Sequence, residues 1–176
     1  MAASIGIFIL AHIGGEAGER IREIQRRYDP KLARMSPPHV TITGSSGVGQ
    51  IPASTPMARL HEALDPIGAT TAPMTLPFGK PVRFMQTEIV VLPLAPHGPL
   101  RELHERIARS GLPFGRSRFA FSPHATLSYY PTLTPAVARE LLSLRVDEPV
   151  RIDRLQVSLT RDPQPPETLF ELVLGG

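Results

Sequence analysis

The chain has 176 residues, of which 41% are hydrophobic and 20% charged, and a net charge of +3; this fits one compact domain or two fused halves. It contains no Cys, which excludes a disulfide framework, a thiolate metal site and a cysteine nucleophile. Its 20 Pro and 14 Gly residues mark many turns without reaching low complexity, and the mild positive charge admits an anionic partner without requiring one.

The longest N-terminal apolar run, Ile5 to Ile13, is too short for the ~20 residues of a membrane-spanning helix. No Lys or Arg precedes Arg20, so a signal-peptide n-region is missing as well. The run reads as a buried strand ended by Gly14-Gly15, and the chain as a soluble, cytoplasmic protein. Glu16 to Tyr28 has the pattern of a helix with one apolar edge at Ile21 and Ile24, stopped by Asp29-Pro30. Ser36-Pro37-Pro38 leads into a β-branched strand, His39 to Thr43. Gly44 to Gly49 is a loop, and Thr55-Pro56 starts a second helix. Strands are expected at Met74 to Phe78, Val82 to Phe84 and Glu88 to Leu94. Gly98-Pro99 opens a helix to Ser110, with Gly111 as its stop. A Gly- and Arg-rich loop, Pro113 to Arg118, precedes a strand from His124 to Tyr130. Thr134-Pro135 begins another helix, and Arg151 to Leu159 and Thr168 to Leu174 close the chain as strands. Mixed order with adjacent strands indicates an α+β sandwich rather than a doubly wound parallel sheet.

Two segments repeat: Pro38-His39-Val40-Thr41 and Pro123-His124-Ala125-Thr126, whose histidines stand 85 residues apart. Each is followed by a Thr-Pro helix start, a strand region and a closing apolar strand (Glu88 to Leu94; Thr168 to Leu174), as in a duplicated unit. Chance would supply ~0.4 His-x-Thr matches from this composition, and Pro before both lowers that by a further factor of ~0.01. Residues i and i+2 of a strand share a face, so each motif projects an imidazole beside a hydroxyl. Side by side, the two strands would gather two imidazoles and two hydroxyls. Imidazole titrates near neutral pH, so one can take a proton while the other gives one, the requirement for acid–base cleavage of a phosphodiester. The hydroxyls can hold the non-bridging oxygens.

Two such His-x-Thr motifs in a duplicated α+β chain of this size resemble the two-histidine (2H) phosphoesterase superfamily, which includes 2′-5′ RNA ligase-like proteins and RNA 2′,3′-cyclic phosphodiesterases. The resemblance implies a two-lobed duplicated sandwich, with antiparallel sheets lining a central cleft and helices packed outside, formed by residues 1–176 as a single domain. It implies that His39 and His124 are the acid–base pair and that Thr41 and Thr126 bind phosphate. The implied partner is RNA or a nucleotide carrying a 2′,3′-cyclic or 2′-5′ phosphodiester, with no cofactor and no metal. Hydrolysis of a cyclic phosphate is the leading expectation. The alternatives are 2′-5′ RNA ligation and a non-catalytic RNA- or nucleotide-binding module. A monomer is expected.

Four further residues are candidates for substrate binding. Arg116 and Arg118 lie in the loop before the second motif and could contact phosphate or base. Tyr130, six residues beyond His124, would share its face on an unbroken strand and could stack on a base. Thr43 would share the face of His39. The stretch Gly44 to Gly49 is not a phosphate-binding loop, because Gln50-Ile51 stands where Lys-Ser/Thr is required; a flexible rim loop is the better account. His97 and His104 share a predicted helix without a third ligand that would make zinc plausible.

Overall fold

The computed structural model describes residues 5–130, 133–161 and 164–176. The first apolar run becomes β1 (Ile5–His12), followed by α1 (Gly15–Tyr28), α2 (Pro30–Met35), β2 (His39–Thr43), β3 (Ile51–Pro52) and α3 (Met57–Ala69). Then come β4 (Met74–Leu76), β5 (Val82–Arg83), β6 (Val90–Pro93), α4 (Gly98–Ala108), β7 (His124–Ser128) and α5 (Pro135–Ser143). The chain ends with β8 (Val150–Ile152), β9 (Arg154–Arg161) and β10 (Glu167–Val173). The architecture is α+β, as expected, and among the described residues every strand pairing is antiparallel. Among the described residues no helix is long and apolar enough to cross a membrane.

The main sheet runs β10-β9-β1-β2-β7-β6-β5, with β3 also paired to β1; β4 and β8 form a second, two-stranded sheet. The order β9-β1-β2 mirrors β5-β6-β7 about the β2–β7 junction. Element order repeats accordingly: β1, α1, β2, α3, β4, β5 and then β6, α4, β7, α5, β8, β9. This shifts the repeat frame read from sequence. The sequence pattern equates Glu88 to Leu94 with Thr168 to Leu174, but β6 lies beside β7 whereas β10 is an edge strand. β1 holds the place beside β2.

One face of the sheet makes the core. Val40, Ile42, Ala125 and Leu127 are fully buried on it, with Ile21 and Ile24 of α1 and Leu100, Leu103 and Ile107 of α4. Burial of each such Ile or Leu is worth ~1.5–3 kcal/mol. The helices pack crosswise: α1 lies against β7 and α4 against β2.

Three differences from expectation bear on the site and its surroundings. Asp29-Pro30 ends α1 but also starts α2, because Asp29 Oδ1 accepts the Leu32 amide at 3.0 Å as a helix cap. The stretch Arg151 to Leu159 breaks at Asp153 into β8 and β9, which join different sheets. The strand starting at His124 stops at Ser128.

Candidate active site

β2 and β7 lie side by side, with Val40 opposite Ala125. In an antiparallel pair this register sets His39 across from Thr126 and Thr41 across from His124. Val40 and Ala125 face the core, so the four motif residues share the opposite face. The two strands have the same burial sequence: partly exposed, buried, partly exposed, buried, buried. The structure therefore brings His39, Thr41, His124 and Thr126 together.

Both strands are entered in the same way. The Pro38 carbonyl accepts the Ile13 amide at 2.8 Å, and the Pro123 carbonyl accepts the Leu94 amide at 3.1 Å. A proline has no amide hydrogen to offer a neighbour, but its carbonyl fastens the strand to the end of β1 or β6. Each histidine then turns its Nδ1 back to the carbonyl two residues earlier: His39 to Pro37 at 2.9 Å, His124 to Ser122 at 2.7 Å. Ser36 Oγ is a further neighbour of His39 Nδ1, at 3.2 Å. A carbonyl can only accept, so Nδ1 carries the hydrogen, and Nε2 of each ring has no hydrogen-bond partner among the described residues.

Burial pushes both imidazoles below the ordinary histidine pKa. At His39 desolvation is the largest cause, the Pro37 carbonyl opposes it, and the charges of His12 and His124 lower it further. At His124 desolvation again dominates, opposed by the Ser122 carbonyl. Both rings are thus biased toward the neutral form.

The surroundings differ on the two sides. His12 of β1 is the direct neighbour of His39, whereas Pro93 of β6 is the neighbour of His124. The Phe84 ring meets His124 edge-on, with centroids 5.2 Å apart and planes at 87°. Neither His12 nor Phe84 was singled out in the sequence. The available signal for His12 was its place at the end of an apolar strand, which becomes informative only once β1 is known to pair with β2.

Of the remaining candidates, Thr43 and Tyr130 are placed differently from expectation. Thr43 does not share the face of His39. A bulge between the pairs Leu10–Thr41 and Ile9–Thr43 breaks the alternation, and Thr43 is fully buried. Substrate cannot reach it. Tyr130 lies beyond the end of β7, past an equivalent bulge, so the unbroken strand on which its face was inferred is absent. Its amide and that of Tyr129 donate to Asp29 Oδ2 at 2.9 and 2.8 Å, and Lys31 Nζ sits 3.9 Å from its ring centroid. Arg116 and Arg118 are exposed on the loop before β7, as expected, and this loop pairs with residues 44–50.

That 44–50 loop is fastened, not free. The Gly49 amide donates to Gly115, the Gly115 amide to Gln50 and the Gly47 amide to Phe119. Gly47 has φ +73°, and a Cβ there would collide with His104 Nε2. His104 is buried, bonds the Ile42 carbonyl at 2.7 Å and stacks on Phe121. His97 instead bonds the Leu94 carbonyl at 2.9 Å. Among the described residues no group of three potential metal ligands occurs.

Two Nε2 atoms and two hydroxyls on one exposed face can hold an anionic group between a proton acceptor and a proton donor. The sequence matches the family model described as the 2′-5′ RNA ligase superfamily over residues 14–163. Among curated proteins, none matches. Solved structures share the fold, among them three that match over nearly the whole of both chains. Escherichia coli LigT complexed with 3′-AMP superposes with a TM-score of 0.63 at 16% identity, covering 97% of this chain and 98% of that one. TT0787 of Thermus thermophilus gives 0.72 at 16% identity, again over 97% and 98%. A crystal structure described as a phosphoesterase gives 0.63 at 17% identity with the same coverage. With most of its length matched to the family and the paired motifs on one face of the shared fold, the chain belongs to the 2′-5′ RNA ligase superfamily of two-histidine phosphoesterases.

Proposed function

We propose that the protein is a phosphodiesterase that opens 2′,3′-cyclic phosphates, at an RNA end or on a small nucleotide, by acid–base catalysis between His39 and His124. The reading is carried by one observation: both Nδ1 atoms are tied to backbone carbonyls, so two Nε2 atoms and two Thr hydroxyls are available on one face. The neutral imidazole takes a proton from water through Nε2 as the water oxygen bonds to phosphorus. The P–O bond to one ribose oxygen breaks, and the imidazolium gives its Nε2 proton to that oxygen. Thr41 and Thr126 donate to the non-bridging oxygens as charge accumulates. The proton balance closes with imidazole and hydroxyl alone, so turnover is expected in EDTA. LigT has been crystallised with 3′-AMP, phosphate, ATP and NADP+, which supports a nucleotide-like ligand for this chain.

Purified protein should open a 2′,3′-cyclic nucleotide in EDTA, and His39→Ala and His124→Ala should each abolish most of that activity. Undiminished turnover in either folded variant overturns the mechanism. The family description favours a second reading, 2′-5′ ligation, in which a 5′-hydroxyl takes the place of water as the attacking group. An assay with cleaved RNA halves separates the two. Persistent RNA binding with no turnover on any substrate would leave the binding-module reading. We infer also that residues 1–176 act as one domain of two lobes, each supplying one His-x-Thr pair.

A further inference from the structure

The motif face continues past β2. Thr41, Leu10, Gln156 and Glu171 are successive cross-strand neighbours on β2, β1, β9 and β10, and His12 lies beside them opposite His39. Strands are spaced ~4.8 Å apart, so this floor begins one strand from His39 and extends roughly 15 Å from β2. It underlies a cavity of about 680 Å³, within the usual size of a small-ligand site. Neither motif histidine lines it; His12 is the shared border.

The lining has a definite chemistry. Glu16, Glu148, Asp153 and Glu171 bring four carboxylates against the two guanidiniums of Arg151 and Arg154. Both guanidiniums are already engaged: Arg154 with Glu171 and Asp153, each at 3.2 Å, and Arg151 with Asp153 at 3.7 Å. Glu16 and Glu148 have no ion pair among the described residues. Glu16 also occupies the first turn of α1, where it supplies the negative charge that a helix N-terminus attracts. The ring nitrogens of His12 have no hydrogen-bond partner among the described residues; its backbone amide is taken by Gln156 Oε1 at 2.9 Å. No Phe, Tyr or Trp lines the cavity. Surplus carboxylate repels a second phosphate and lacks a stacking platform, but accepts hydrogen bonds from hydroxyl and amino groups.

We propose that this cavity is the nucleoside subsite. It receives the ribose and base attached to the reacting phosphate, on the His39 side, and reads them through hydrogen bonds to carboxylates rather than by stacking. This assignment rests on the phosphodiesterase reading above and names the half of the substrate that reading leaves open.

The test compares two five-membered cyclic diesters with the same reacting group: adenosine 2′,3′-cyclic phosphate and glycerol 1,2-cyclic phosphate. The quantity read is the ratio of their kcat/KM values. In the double variant Glu16→Gln, Glu148→Gln the preference for the nucleotide should fall about tenfold, mainly through KM, as expected when two charge-assisted hydrogen bonds become weaker neutral ones. An unchanged ratio overturns the subsite, and so does a rise, which would mark a pocket for anions. Glu16→Gln alone serves where the double variant is poorly folded. If the wild type opens neither ring, the phosphodiesterase reading fails, and the subsite is judged by titrating adenosine while following the Gly14 and Gly15 amides by NMR. Saturable shifts that weaken in the variant support it; no shift overturns it.

Discussion

At β2 and at β7 the backbone does the same things in the same order. A proline carbonyl accepts an amide from the neighbouring strand, a histidine turns Nδ1 to the carbonyl two residues back, and a bulge follows the threonine. After each bulge a hydroxyl is buried, Thr43 Oγ1 in one strand and Ser128 Oγ in the other, with no partner among the described residues. What lies around the two strands is different. His39 has His12 beside it and the charged cavity beyond, while His124 has Pro93 and Phe84. The two exits also differ: the chain leaving β7 is held by the Asp29 carboxylate, whereas the Gly44 amide after β2 bonds the Val48 carbonyl of its own loop. On the proposed reading, equivalent chemistry with unequal walls suits a two-proton reaction on an asymmetric substrate.

The largest test of this equivalence removes the imidazoles. His39→Ala and His124→Ala should each lower kcat by about 10²–10⁴-fold, the usual weight of a general acid or base. The double variant should fall little below the worse single one, because the two act as a unit. Losses that differ by orders of magnitude between the two, measured on one cyclic nucleotide, would break the symmetry of roles. Thr41→Val and Thr126→Val come next, each at about 10²-fold in kcat/KM, as for loss of one donor to a developing oxyanion.

The exits are tested through stability. Asp29 is fully buried and its carboxylate accepts three backbone amides, from Leu32, Tyr129 and Tyr130. Asp29→Ala should cost on the order of 3 kcal/mol, since it strands three donors that folding has taken from water. The same reasoning gives the opposite sign inside the bulges. Thr43→Val keeps the shape and removes an unpaired buried hydroxyl, so it should be neutral or stabilising by ~1 kcal/mol in urea denaturation. A clear loss of stability would mean that the hydroxyl is paired.

These cases divide what could be read from the sequence from what could not. The Pro-His-x-Thr repeats were legible because strand alternation is local: two residues apart means the same face, whatever the partner strand is. Thr43 and Tyr130 were misplaced because a bulge is set by pairing with residues far away, Ile9 and Leu10 for one and Val90 and Val91 for the other. Asp29 read as a helix stop beside a proline. Its bonds to Tyr129 and Tyr130 span 100 residues or more and leave no local pattern. Phe84 and His12 were invisible for the same reason, as was the exchange of β1 for β10 beside β2.

The smallest expected effect separates the two walls most directly. Both imidazoles are held below their ordinary value by burial, so the state with one proton between them is populated at low pH. The profile of kcat/KM reports the free enzyme and should be a bell centred below roughly pH 6.5. Folding is linked with the matching sign: below roughly pH 6.5 the unfolded chain takes protons that the folded histidines refuse, so stability declines as pH falls and levels off beneath the folded values. His12→Ala removes a like charge that lowers His39 and not His124. The limb belonging to His39 should therefore move to higher pH, by a few tenths of a unit, roughly the effect of one screened neighbouring charge. Phe84→Ala admits water to His124 and should move the other limb in the same direction, because desolvation is the larger cause there. If both variants shift the same limb, the walls do not act on separate histidines, and the division of the site into a charged side and an aromatic side fails.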